Sequence, residues 1–362
     1  MKTTGRLARL LPTDQSPFAL ILRLEDIRWL TGFTGSTAQL LVNRATHEAF
    51  LFVDGRYVER AEHELALAQC DTQIVLVESG HSVESLVAAI IGDAGLVVDA
   101  GHLTAAHMSS LVERVAVGVE ATQMDALRRV KDEAEIALIA LSASIADSAM
   151  SELVAEGLLG RTERQIRNRL DHLMREGGAD DVAFETIVAT GPNGARPHHE
   201  PSDDVVEDGH GVVIDFGAMV NGYKSDMTRT IRVGAQSREY AHMYECVIEA
   251  QAAGVDAVRA GVVGSDVDAA VRVVFDREGL SHEYVHGTGH GIGLYIHEQP
   301  ILSPRCSAVL SANEVVTVEP GLYRKGVGGV RIEDLVVVTG DSCRILTQTS
   351  KDLTCPRSPR TI

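Results

Sequence analysis

Positive charge is in short supply in this chain. Lys and Arg number 33 against 51 Asp and Glu, so the net charge is −18 and the pI falls near 5.2. Such a balance repels phosphate backbones and anionic headgroups, and neither nucleic acid nor a membrane is an expected partner. Cysteine is sparse: Cys70, Cys246, Cys306, Cys343 and Cys355 are odd in number, widely spaced and free of C-x-x-C pairs. They read as reduced thiols in a cytoplasmic protein rather than as a disulfide framework. No apolar run approaches the roughly 20 residues that a membrane span needs. The opening MKTTGRLARLLPTDQSPF lacks the long apolar region and cleavage site of an export signal.

What is present is an ordinary globular composition, 45% hydrophobic and 23% charged over 362 residues, enough for one large domain or two of usual size. Up to about residue 125, short apolar runs such as FALILRL, AQLLVN, EAFLFVDGRY, TQIVLVES and LVVDA alternate with helical stretches such as RAEHELALAQ. That alternation predicts an α/β domain over 1–125. A second domain is expected over 126–350, with 351–362 as a loose tail. No Pro/Ser-rich linker separates the two domains. The second opens on a long helical stretch, ALRRVKDEAEIALIALSASIADSAMSELVAEG, ending at Gly157. Thr162 and Gln165 form a capping-box pattern ahead of a helix with Ile166, Leu170, Leu173 and Met174 on one face. A further helix opens near Ser265 and stops at Gly279.

The stretch HEYVHGTGHGIGLYIH, residues 282–297, spells H-E-x-x-H at its start. That zinc motif needs its two histidines one helical turn apart, whereas here the helix has ended and Tyr284 and Val285 favour strand. His282 is therefore left without a role. GTGHGIG does not satisfy G-x-G-x-x-G in any register, which argues against a dinucleotide site. Its glycines are expected to let backbone approach a packed site closely and present His290 there.

Asn221-Gly222 is a strong hairpin turn signal between two β-like runs. Counting outward, Val220 faces Tyr223 and Gly217 faces Asp226, which puts Asp215 on the same face as Asp226 and diagonal to it. Diagonal neighbours lie roughly 7–8 Å apart, within reach of a shared ion. A second β pair, NEVVTVEPGLY and GVGGVRIEDLVVVTG, carries Glu319 and, within its other strand, Glu333, with Arg331 and Glu333 on one face and Asp334 on the other. Four acids amid apolar strands are costly unless paired or metal-bound. Hard oxygen ligands with one imidazole, His290, suit a pair of divalent ions such as manganese, cobalt or zinc.

The order Asp215, Asp226, His290, Glu319, Glu333, set in IDFGA, SDMTRT, HGTGHGIGLYIHEQP, VEPGLY and GVRIEDLVVVT, resembles the pita-bread metallopeptidases, and within them the aminopeptidase P and prolidase branch. The resemblance covers residues 125–350 strongly, while WLTGFTGS and FVDGRY are weaker cues to the family's N-terminal domain. It implies an α/β N-terminal domain followed by an α+β pita-bread (creatinase/aminopeptidase-like) catalytic domain. It implies that Asp215 and Asp226 hold one ion, that Asp226, Glu319 and Glu333 bridge or complete a second, and that His290 caps one of them. Glu319 is then the proton shuttle for a bridging hydroxide. His198 matches the histidine that bonds the substrate or the tetrahedral intermediate, His199 is incidental, and His286, His297 and Arg331 match the substrate pocket, with His297 also catalytic. The implied activity is hydrolysis of Xaa-Pro bonds in dipeptides or oligopeptides by a homodimer. A relative acting on another small amide or amidine, or a non-catalytic peptide binder, is the alternative.

Overall fold

The computed structural model describes residues 3, 5–10, 16–120 and 124–355. The chain forms two compact units, dividing between Arg128 and Arg129. In the first, β1 (Phe18–Ile21), β2 (Gln39–Asn43), β3 (Ala49–Val53), β4 (Gln73–Leu76), β5 (Leu96–Asp99) and β6 (Val117–Glu120) form one mixed sheet in the order β4-β3-β2-β1-β5-β6. Its helices are α1 (Leu24–Thr31), α2 (Val58–Ala68), α3 (Val83–Ile91) and α4 (Ala105–Val112), with α5 (Met124–Arg129) at the division. Leu20, Leu41, Phe52, Leu96 and Val98 from the strands meet Val87 and Leu111 from the helices in its core. The apolar runs expected as strands are strands. FALILRL nonetheless stops early, because α1 starts at Leu24 and closes on Gly32 in the left-handed region (φ 82°).

The expected long helix at 126–157 is two helices, α5 and α6 (Glu133–Glu156). Asp132 breaks it. Its side chain accepts from the Glu135 N–H, and the Glu135 carboxylate accepts from the Asp132 N–H, a capping box that starts a new helix in spite of good helix formers on both sides. By length and composition alone α6 could cross a membrane, but half of that stretch is buried. Ala146, Met150 and Leu153 pack there with Ile166 and Leu170 of α7 (Glu163–Glu176), which opens on the Thr162–Gln165 capping box.

The second unit repeats one plan. After α6 and α7 come β7 (Asp181–Val182), β8 (Ile187–Thr190), β9 (Gly211–Phe216), β10 (Ala218–Val220), β11 (Tyr223–Lys224) and β12 (Met227–Val233). After α8 (Arg238–Ala257) and α9 (Gly264–Arg277) come β13 (Gly289–Gly291), β14 (Glu298–Leu302), β15 (Val315–Val318), β16 (Gly321–Arg324), β17 (Gly328–Arg331), β18 (Asp334–Val338), β19 (Cys343–Ile345) and β20 (Leu353–Cys355). In each half an antiparallel pair, β9/β12 or β15/β18, bends outward into a short ribbon, β10/β11 or β16/β17. The Asn221-Gly222 turn lies at positive φ (50° and 76°) and pairs Val220 with Tyr223. The register then carries through the bend to Phe216↔Met227 and Asp215↔Thr228.

In the second half, Val318↔Asp334 and Gly321↔Arg331 share one register, which sets Glu319 across from Glu333. Glu333 therefore sits in the bend between β17 and β18, not within a strand. Residues 353–355 correct the expectation of a loose tail: β20 pairs in parallel with β12, and Cys355 is buried in the core beside Ile231 and Val233. Residues 356–362 lie outside the described residues.

Candidate metal centre

The two bends place their acids around a single cavity of about 360 Å³. It is lined by His198, Asp215, Asp226, His286, His290, His297, Glu319, Arg331 and Glu333, so every residue singled out in the sequence as a ligand or pocket group reaches it. Phe184, Ile187, Pro197, Ile296 and Ile301 supply apolar wall. Ligand atoms of Asp226, His290 and Glu333 all lie within 4.8 Å of one another.

His290 is delivered by close backbone approach. A Cβ on Gly289 would sit 2.0 Å from the Thr317 carbonyl oxygen, and one on Gly291 2.3 Å from that of Gln299. Only glycine lets β13 lie between its neighbours. The His290 N–H donates to Thr317 Oγ1 at 3.0 Å, and its Nδ1–H donates to the Gly291 carbonyl at 3.0 Å. That second bond leaves the Nε2 lone pair free and facing Asp226 and Glu319, each at 3.6 Å. Burial lowers the imidazole pKa to about 4, which keeps it neutral.

Burial first, then the charges of Glu333, Asp215 and Glu319, holds the Asp226 carboxyl well above the usual range. Burial, followed by Glu319 and Asp215, does the same to Glu333. Glu319 is pushed up to about 8 by burial and by Asp215, against the pull of Arg331. Asp215 Oδ1 and Glu333 Oε1 are buried with no hydrogen-bond partner. Carboxylates that crowd together, repel one another and keep unsatisfied oxygens are what divalent cations would relieve. An oxygen-rich set with one neutral imidazole fits manganese, cobalt or zinc.

Arg331 binds the opposite side of this cluster. Its Nη2 donates to Asp215 Oδ2 at 2.6 Å, its Nε to Thr228 Oγ1 at 3.1 Å and its Nη1 to Tyr323 Oη at 3.0 Å. Thr228 in turn donates to Glu333 Oε2 at 2.7 Å, so Arg331 and Glu333 do share a face, while Asp334 points away to Arg229. Tyr323 lies 2.9 Å from His286 Nε2, and His286 Nδ1 lies 2.7 Å from the Gly287 carbonyl. His286 thus lines the cavity with both nitrogens engaged by protein.

His199, expected to be incidental, fastens the loop that carries His198. It meets the fully buried Glu163 at 2.7 Å, and Glu163 also accepts from the N–H groups of Thr190 and Ser202. His282 is exposed, lies 3.5 Å from Glu283, and is not among the cavity-lining residues. Sequence reasoning missed Tyr323 and Thr228. A signal existed for both: Thr228 pairs with Asp215, and Tyr323 pairs with Gly329, two residues from Arg331.

Comparison with known proteins gives the family. Residues 137–340 match the model of metallopeptidase family M24, and residues 4–130 match the creatinase/prolidase N-terminal domain. The chain is 36% identical over 340 residues to the uncharacterized peptidase YqhT of Bacillus subtilis (strain 168), covering 92% of this chain and 94% of that one. Among solved structures it resembles the Xaa-Pro dipeptidase from Bacillus anthracis, with TM-score 0.91, 34% identity, and 97% and 98% of the two chains covered. It also resembles the X-Pro aminopeptidase from Thermotoga maritima MSB8, with TM-score 0.85, 32% identity, and 96% and 99% covered. The chain is therefore a member of metallopeptidase family M24, with a creatinase/prolidase-type N-terminal domain ahead of a pita-bread catalytic domain.

Proposed function

We propose that the protein hydrolyses Xaa-Pro peptide bonds with two divalent ions held by Asp215, Asp226, His290, Glu319 and Glu333. The observation that carries this reading is the convergence of these five side chains with His198, His297 and Arg331 on one cavity whose buried carboxylate oxygens lack partners. Solved relatives named as an Xaa-Pro dipeptidase and an X-Pro aminopeptidase support the bond assigned. When bound, the ions supply Lewis acidity, lowering the pKa of water and polarising the scissile carbonyl. Manganese is the ion we assign, and we place the enzyme in the cytoplasm as a homodimer.

The protein's own groups do the rest. Glu319 takes the proton of the attacking water and returns it to the leaving amine. His198 donates a hydrogen bond to the carbonyl oxygen as negative charge develops on it. His297, whose ring meets that of His290 edge-on at 4.5 Å between centroids, contacts the residue after the scissile bond. Arg331 fixes Asp215 and lines the same cavity. His286 orients Tyr323 rather than binding substrate through a free nitrogen. A dedicated pocket is required because proline has no N–H and a fixed φ.

The test is initial-rate hydrolysis by metal-stripped, manganese-reconstituted protein offered an Xaa-Pro dipeptide, an Xaa-Pro-Yaa tripeptide and an Xaa-Ala control. Cleavage of the dipeptide alone identifies a dipeptidase, and cleavage of the tripeptide an aminopeptidase P. If neither is cleaved while two ions are bound, the substrate assignment fails and another small amide takes its place.

A further inference from the structure

A second group of metal-binding side chains lies outside the cavity. His242 and Cys246 stand one turn apart on α8, and Glu278 caps the C-terminal end of α9. One ligand atom from each falls within 4.8 Å of the others. The Cys246 sulfur is 3.8 Å from both nitrogens of the His242 ring, and His242 Nε2 is 3.7 Å from Glu278 Oε2. Equal distances to both nitrogens mean that the thiol is not aimed at either lone pair, and 3.7 Å is too long for a hydrogen bond. Two ligands on one zinc-sized ion, at ~2.0–2.3 Å each in tetrahedral geometry, stand about 3.4–3.6 Å apart, close to what is found.

The rest of the cluster is arranged for a cation. Arg277 Nε holds Glu278 Oε1 at 2.8 Å, leaving Oε2 toward His242, and both remaining arms of Arg277 are taken by Glu249. Glu278 places negative charge at the negative end of a helix, an arrangement that a bound cation offsets. The His242 side chain is half exposed, so its ring is free to turn toward an ion between the three groups.

We propose that His242, Cys246 and Glu278 form a second cation site, selective for zinc-class ions. Its thiolate distinguishes it from the oxygen-rich catalytic centre: sulfur and imidazole favour zinc, cobalt or copper, whereas manganese prefers carboxylates. Binding exchanges the thiol proton for the ion, the proton leaving to solvent, with water as fourth ligand. Occupancy ties α8 to the end of α9, where the chain turns at Gly279 (φ 72°) toward His286 and His290. The site thus clamps the segment that feeds two cavity histidines, and does so with a metal other than the one proposed for catalysis.

Cobalt titration of manganese-loaded protein under reducing conditions tests this. Intact protein is expected to develop a saturable sulfur-to-cobalt charge-transfer band in the near ultraviolet, which ligands offering only oxygen and nitrogen cannot give. Cys246→Ser should abolish the band. His242→Ala, a change at an exposed side chain that leaves the core intact, should weaken cobalt binding by roughly tenfold or more. Both variants should keep manganese-dependent hydrolysis. Absence of the band in intact protein overturns the site, as does a band that survives Cys246→Ser. A band insensitive to His242→Ala overturns the three-ligand assignment.

Discussion

Arg331 and Asp215 meet at 2.6 Å, across the bends of two separate ribbons. The same guanidinium also reaches Thr228 and Tyr323, and its side chain is almost wholly buried. It is the one cation in direct contact with the carboxylate cluster among the described residues lining the cavity.

Lysine cannot reproduce that planar fork. Arg331→Lys is expected to lower kcat/KM by about a hundredfold with the fold retained. Arg331→Met leaves the buried acids uncompensated and should destabilise the metal-free protein by about 3 kcal/mol. Parallel kinetics and thermal melts check both outcomes. A fully active Arg331→Met protein would remove the residue from the site.

Donor order along the next contacts is fixed by what each group can do. A guanidinium only donates, so Tyr323 Oη accepts from Arg331 and gives its own hydrogen to His286 Nε2, while His286 Nδ1–H goes to the Gly287 carbonyl. Burial lowers the His286 pKa to about 4. Tyr323→Phe keeps the ring but removes the donor that stabilises neutral His286, so the His286 pKa should rise. Stability should fall by about 1 kcal/mol. NMR titration of the ring protons measures this, and an unchanged midpoint would refute the donor order.

His290→Ala should abolish metal-dependent activity and reduce metal content. His282→Ala should be nearly silent, since that side chain is exposed. Atomic absorption on both proteins, run beside activity assays, separates the outcomes. Metal loss in His282→Ala with retention in His290→Ala would restore the H-E-x-x-H reading.

Metal removal should produce a stability that falls as pH rises. Glu319 in the metal-free protein titrates at about 8, above its ordinary value of 4.5. Its contribution is therefore full below pH 4.5 and is lost as pH climbs through 8. His286 and His290, lowered from 6.5 to about 4, act with the opposite sign, but only between those two values. Above pH 6.5 the histidine effect is spent, and between pH 7 and 8 the carboxyl effect sets the slope. The melting temperature of chelator-treated protein should drop over that interval while that of manganese-loaded protein holds. Calorimetry at pH 7 in two buffers of different ionisation enthalpy should show protons released on metal binding, and fewer at pH 9. Flat, equal melting profiles would count against the buried carboxyl cluster as the metal site.

The first hairpin was readable because its register is local. Asn221-Gly222 admits positive φ at both positions, and once the turn is placed, parity alone puts Asp215 and Asp226 on one face. His290 was readable because its neighbouring glycines mark close backbone approach. Thr228 and Tyr323 carry no glycine mark: register alone sets Thr228 opposite Asp215 and Tyr323 opposite Gly329, and their roles arise only where two ribbons far apart in sequence meet. The break at Asp132 was hidden by strong helix formers on both sides, though Asp132 and Glu135 spell the cap that causes it. Helix α8 opens on a Ser237 cap and carries two ligands of the proposed second site. Leu353–Cys355 reads as a loose tail because β20 is short and its burial comes from β12 and Leu158, which local composition does not reveal.

That terminal pairing has a meaning for biosynthesis. Ile231, Arg232 and Val233 of β12 take their parallel partners from Leu353, Thr354 and Cys355. A ribosome releases the chain in order, so β12 is made early and stays an open edge until almost the entire catalytic unit has emerged. An unpaired edge is a template for another nascent chain. The hazardous interval for this protein is therefore the wait for β20, and chaperone demand should peak there rather than while the N-terminal unit folds.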